Sequence, residues 1–168
     1  MSLPAGTVSF LLTDIEGSTQ KWQLAPDSMA AAVARDYEIL DTAISAHGGV
    51  RPEEQGEGDS IVAAFSRASD AVSAALDAQR ALQSEPWPAS TPIAVRMAIH
   101  TGEARLRDEA NYVGMAIIRT ARLRSLAWVI SSSSTPVTSS DRWISTRPNR
   151  TTKWSVEGQR PRNVTRWP

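Results

Sequence analysis

A largely apolar run at residues 8–12 (VSFLL) leads straight into the polar segment TDIEGST at 13–19, and no other junction constrains the fold as much. A run of this kind, without polar/apolar alternation, predicts a strand buried on both faces. Asp14 marks the strand end, and Gly17 lets the chain turn into a helix. A strand-end carboxylate can hold a hard cation, while N–H groups of the turn and helix start face phosphate oxygens. A second carboxylate, Asp59, stands in GEGDS (56–60), directly before the apolar run 61–65. Two strand-end aspartates suit a pair of cations bracketing a reacting phosphate. Taken singly, each motif also has an ordinary reading, the first as a helix N-cap and the second as a turn.

The rest of the chain alternates strands and helices. Residues 7–14 predict a strand and 28–46 a helix, with Val33, Tyr37, Leu40 and Ile44 on one face. Asp27 or Ser28 caps that helix in this reading, and Gly48-Gly49 stops it. Residues 50–65 read as a hairpin turning at 55–58. A second helix at 68–84 turns Val72, Ala75, Leu76, Gln79 and Leu82 inward and ends at Pro86 and Pro88. A strand at 93–101, a loop at 102–112 and a helix at 114–126 follow. The order predicts an α+β fold with a ferredoxin-like βαββαβ core, its helices on one face of a mainly antiparallel sheet.

At 168 residues the chain is long enough for a single domain with a substantial core. Eighteen basic and eighteen acidic side chains cancel, so global charge argues for neither nucleic acid nor an anionic membrane. The balance is uneven along the chain, acidic by five over residues 1–126 and basic by five over 127–168. There is no cysteine, hence no disulfide framework or thiol chemistry. No secretory pattern or membrane-length apolar run is present, so a cytoplasmic location is the expectation. Beyond residue 126 the composition turns to Ser, Thr, Arg and Pro, with tryptophans at 128, 143, 154 and 167. Residues 127–168 therefore read as a low-complexity tail of loop or disorder. A tail translated outside the ancestral frame is a further reading of the same composition break.

Four segments, TDIEGST (13–19), HGGVRPEEQGEGDS (47–60), VRMAIHTGEA (95–104) and NYVGMAIIRTARL (111–123), together resemble the catalytic domain of class III adenylate and guanylate cyclases. The small bacterial homodimeric type is the nearest in look. The resemblance spans residues 5–126 in order and spacing. It implies two Mg²⁺ or Mn²⁺ ions held by Asp14 and Asp59, with the backbone carbonyl of Ile15 as a further ligand. It also implies a phosphate cradle at Glu16, Gly17, Ser18 and Thr19. Gln55 and Asn111 match the positions that specify the purine. Each amide offers donors and acceptors, which points to a site permissive towards ATP and GTP. The chemistry implied is metal-assisted in-line attack on the α-phosphate, with release of pyrophosphate.

Two departures temper the resemblance. The family sets an asparagine and an arginine one turn apart on the last helix; Arg122 matches the arginine, but Ile118 stands at the asparagine position. Isoleucine offers the ribose no hydrogen bond, and losing one such preorganised contact typically costs on the order of 10²–10³ in rate. The strands and the lysine-bearing hairpin that follow this helix in the family have no recognisable counterpart, so C-terminal strands are expected to be missing. The family's sites form between two chains, which implies a homodimer or a pairing with a sister cyclase domain. The sequence thus carries a weakened nucleotidyl cyclase as its first reading. The alternatives are a non-catalytic pseudo-cyclase that binds nucleotide or a sister domain, and a decaying gene fragment.

Overall fold

The structure, a computed structural model, describes residues 2–53, 58–126, 145–147 and 150–152. It divides into two units, residues 1–133 and 134–168. In the first, strand β1 (Gly6–Ile15) is the centre of a four-stranded sheet. It pairs antiparallel with β2 (Val62–Phe65) on one side and with β3 (Val95–Leu106) on the other. A two-residue strand, β4 (Tyr112–Val113), closes on the far end of β3, giving the order β2-β1-β3-β4. Four helices complete the unit: α1 (Ser18–Leu24), α2 (Pro26–Ala46), α3 (Ala68–Ser84) and α4 (Met115–Leu126).

The unalternating character of β1 has its reason in two cores. Leu11 and Ile15, with Ala63 and Phe65 of β2, face α2 and α3, where Met29, Leu40, Ile44, Ala71, Ala74 and Ala78 are buried. Val8, Phe10 and Leu12, with Val62 and Ala64, face the other way, onto Tyr112 and Ala116. Phe10 meets Tyr112 edge-on, with centroids 4.9 Å apart. The expected α+β core is present, but not with all helices on one face: α4 covers the side opposite α2 and α3.

Other boundaries differ for local reasons. Helix α2 starts at Pro26 and has Ala25 as its N-cap, with no capping side chain, instead of Asp27 or Ser28. Pro26 needs no N–H partner and has its φ preset for a first turn. In α3 the inward stripe is Ala71, Ala74, Ala78 and Leu82, while Val72 is 46% exposed. Alanines let the helix axis approach the sheet, so the large side chains are not the guide to the buried face. Gln79 nonetheless turns inward, donating to the Val95 carbonyl at 2.8 Å. Strand β3 runs on to Leu106, through a stretch expected as loop, because residues 6–8 of β1 offer it backbone partners (Gly6 opposite Ala104, Val8 opposite Gly102). Of the hairpin expected at 50–65, the described residues show a bridge between Val50 and Ala64, and the expected turn at 55–58 lies, except for Gly58, outside the described residues. Gly49 is required there, since a Cβ would sit 2.5 Å from the Phe65 ring.

In the second unit a short antiparallel ribbon pairs β5 (Ser145–Arg147) with β6 (Arg150–Thr152). The expectation of a disordered tail at 127–168 otherwise falls outside the described residues, as does Lys153. No helix among the described residues is long and apolar enough to cross a membrane.

Candidate functional site

Both aspartates are attached to the C-terminal end of β1. Antiparallel pairing of β1 with β3 puts Asp14 opposite Arg96, and the two side chains form an ion pair. Asp14 is mostly shielded, its side chain 15% exposed. On the other flank the segment after Gly58 is fastened to β1 by a ladder of bonds. The Thr13 N–H donates to the Ile61 carbonyl at 2.9 Å, and the Ser60 hydroxyl donates to the Thr13 carbonyl at 2.9 Å. The last bond on this flank comes from Asp59 itself, whose Oδ2 accepts the N–H of Ile15 at 3.0 Å. Asp59 is thus bound to the residue that directly follows Asp14, and a pair 45 positions apart in sequence is joined by backbone geometry.

Beyond Ile15 the chain turns sharply. The Glu16 N–H donates to the Ala94 carbonyl at 2.8 Å, while the Lys21 ammonium donates to the Glu16 carbonyl. Gly17 takes a left-handed conformation (φ 66°) as the N-cap of α1. The first N–H groups of a helix have no intrahelical acceptor, which leaves those of Gly17, Ser18 and Thr19 as the donors of the expected cradle, with Glu16 engaged elsewhere.

Among the described residues, no three His, Cys, Asp or Glu side chains gather to hold a metal ion. The site therefore offers two carboxylates, Asp14 and Asp59, next to the carbonyl of Ile15. Such oxygen donors fit Mg²⁺ or Mn²⁺, which keep several waters and need few protein ligands. Arg96 already neutralises Asp14, so it is the group an incoming cation must compete with.

None of the remaining sequence-derived positions among the described residues is hydrogen-bonded to Asp14 or Asp59 in the contacts above. Gln55 is outside the described residues. Asn111 is buried, 3% exposed, in the turn between β3 and β4. Its side-chain amide donates to Asp108 Oδ1 at 3.0 Å, and the same oxygen accepts the Ala110 N–H at 2.9 Å. That carboxylate is held below the usual range, first by the Ala110 N–H and then by Arg107. The Asn111 amide is consequently oriented with its nitrogen towards Asp108. Ile118 and Arg122 sit one turn apart on the exposed side of α4, with Ile118 46% exposed. Met115, at 55%, and Leu126, at 69%, extend the same stripe.

Sequence reasoning missed three residues near the aspartates. Arg96 sits in a quoted motif, but its pairing with Asp14 depends on strand register. Arg124 reaches from α4 to donate to the Ser60 hydroxyl at 2.6 Å, tying that helix to the Asp59 segment. Asp36 of α2 is fully buried, and neither carboxylate oxygen has a hydrogen-bond partner. Burial, and secondarily the charge of Asp59, pushes its pKa up to about 7.

No family model matches the chain. An uncharacterised protein of Mycobacterium tuberculosis is 52% identical over 124 residues, 74% of this chain and 41% of that protein. The chain thus spans about two fifths of the length of such curated relatives. An adenylate cyclase of Lachancea kluyveri is 28% identical over 148 residues, covering 74% of this chain and 8% of that protein. Among solved structures, an adenylate cyclase from Trypanosoma brucei superimposes with a TM-score of 0.68 at 24% identity, over 76% of this chain and 74% of that one. The guanylate cyclase domain of a Catenaria anguillulae protein, solved in complex with GTP, gives a TM-score of 0.62 at 18% identity, over 74% and 75%. The resemblance read from the four motifs is borne out at the level of the fold.

Proposed function

Starting from a chain that carries the catalytic-domain fold of the class III adenylyl and guanylyl cyclases, we propose that it is a metal-dependent nucleotidyl cyclase domain of reduced activity, working in cyclic-nucleotide signalling. The observation that carries this reading is the bond from the Ile15 N–H to Asp59 Oδ2, which joins two strand-end carboxylates into one oxygen-rich site. Asp14, Asp59 and the Ile15 carbonyl would hold two divalent ions. Such ions supply Lewis-acid activation of a ribose hydroxyl and neutralisation of a triphosphate.

The protein's own residues then bind and orient. Gly17, Ser18 and Thr19 direct first-turn N–H groups at phosphate oxygens, aided by the positive end of α1. Asn111 and Gln55 are proposed to read the purine, with ATP or GTP as substrate. Arg122 would stabilise charge developing on the α-phosphate. Its exposed position on α4 suits a site completed by a second copy of the chain or a sister domain. Ile118 leaves the ribose without a polar partner, which is the reason for the reduced activity.

One observation favours a second reading. Met115, Ile118 and Leu126 form an apolar stripe where a catalytic helix would present an amide. A pseudo-cyclase that binds nucleotide and pairs with another cyclase domain would keep this stripe and lose turnover. A turnover assay with Mn²⁺ and either ATP or GTP separates the two. Cyclic nucleotide formed by the parent chain and lost in Arg122→Ala supports the enzyme, whereas Mn²⁺-dependent nucleotide binding without product supports the pseudo-cyclase. Absence of both would overturn the site.

A further inference from the structure

Asp36 has no place in the site as so far assigned. It lies in the middle of α2, on the face that buries Ala32, Ile39, Leu40 and Ala43. It is fully buried, and both its oxygens lack a hydrogen-bond partner. Ionised, it is an uncompensated charge in an apolar layer; protonated, it is a donor and acceptor with nothing to bond. Either state is unfavourable, and buried polar groups are nearly always paired. The nearby arginines have other partners, Arg124 being bonded to the Ser60 hydroxyl. Arg51 pairs with Asp41 at 2.7 Å and stacks over the Tyr37 ring at 5.4 Å, while Arg96 pairs with Asp14.

What Asp36 faces is indicated by its neighbour and by its electrostatics. The Tyr37 hydroxyl donates to the carbonyl of Gly58, docking this turn of α2 against the segment that carries Asp59. Burial first, and then the charge of Asp59, raises the proton affinity of Asp36. No three carboxylates among the described residues are near enough to share an ion, so Asp36 does not belong to the ligand set itself.

We infer that Asp36 is a positioning residue for the cation site, a buried carboxyl on the turn of α2 that docks against the Asp59 segment, unfavourable in the metal-free fold and compensated when a divalent cation sits at Asp14 and Asp59. This rests on the reading that those two aspartates hold such a cation. It places a stability cost and a binding gain on one side chain, the pattern expected of a residue retained for function.

The test is Mn²⁺ titration by calorimetry, together with thermal melts in metal-free buffer, on the full chain and on Asp36→Asn, with Asp36→Ser as a second variant should the first not fold. The expected result is a higher metal-free melting temperature and Mn²⁺ binding weakened about tenfold, within the range typical of groups that support metal ligands from behind. Unchanged Mn²⁺ affinity in a folded variant would overturn the inference whether its melting temperature rises or falls, because the carboxylate would then be a purely structural feature. If the parent chain itself binds no Mn²⁺, the assignment of Asp14 and Asp59 fails first and takes this inference with it. The parent titration therefore tells the two failures apart.

Discussion

At the end of β1, the groups proposed to hold metal are fixed by main-chain bonds and a cross-strand ion pair. Asp59 accepts the Ile15 N–H, Ser60 and Ile61 are bonded to Thr13, and Asp14 is matched to Arg96 by strand register. The outer side of α4 is built differently. Ile118 and Arg122 have solvent around them, and what aligns them is only the 3.6-residue period of the helix. One half of the proposed site is therefore organised within a single chain, and the other half is displayed outward. Substitutions at the first should register in folding and metal response together; those at the second should leave the fold untouched and register only in turnover.

The largest effect is expected at the organised half. Asp59→Ala removes the acceptor of a buried N–H, which costs about 1–3 kcal/mol. The net loss should fall towards the low end, since the same change relieves Asp36 of a neighbouring charge. Mn²⁺-induced thermal stabilisation should disappear in this variant and in Asp14→Asn. A melt of either that still rises with Mn²⁺ as the parent does would break the claim that the two carboxylates form one site.

At the displayed half, Ile118→Asn should shift stability by less than ~0.5 kcal/mol, as exposed substitutions do. If the missing ribose contact is the main defect, Mn²⁺-dependent product should increase, with a ceiling of about 10²–10³-fold. Adding Arg122→Ala should remove the gain. No increase in a folded, dimeric Ile118→Asn variant would shift the defect away from α4 and favour the pseudo-cyclase.

How much of this was legible follows the same divide. The double-sided burial of β1 could be read because residues 8–12 do not alternate, and the two aspartates because each ends a strand. Of helix α1 only the start after Gly17 could be read, since seven residues with none buried leave no period to set its extent. The buried stripe of α3 was read in part: Leu82 is buried as expected, but Ala71, Ala74 and Ala78 give a weak signal beside Val72, which is exposed. Arg96 depended on register between strands about eighty residues apart, which no local pattern encodes. Asp36, flanked by Arg35 and Tyr37, has the look of an ordinary solvated helix charge; only packing shows that it is buried.

That burial gives the metal-free protein a pH dependence. Asp36 has an ordinary value near 3.8 when unfolded and about 7 when folded. Between these values the folded state holds the proton more tightly, so its contribution is complete at low pH and is lost as pH rises through about 7. The slope is at most ~1.4 kcal/mol per pH unit. Asp77, Glu85 and Asp108, all shifted down, act in the opposite sense, but their exposed positions make them minor. Metal-free denaturant melts of the parent and of Asp36→Asn at pH 5 and pH 8 should show the variant gaining on the parent at the higher pH. A constant difference between them would show that Asp36 does not titrate in this window.

The smallest effect concerns the base. The permissive reading treated Asn111 as an amide free to present either end, but its nitrogen is directed at Asp108 Oδ1, and that carboxylate is itself fixed by the Ala110 N–H. A fixed amide discriminates more than a free one, while a single neutral hydrogen bond contributes only about 0.5–1.5 kcal/mol. ATP and GTP affinities measured by calorimetry should therefore lie within about tenfold, or ~1.4 kcal/mol. Asp108→Ala removes this partner of the amide nitrogen and should bring the ratio closer to one without altering the Mn²⁺ response at Asp14 and Asp59. A preference well beyond tenfold that survives Asp108→Ala would mean that Asn111 does not choose the purine, and would leave that role to other residues of the site.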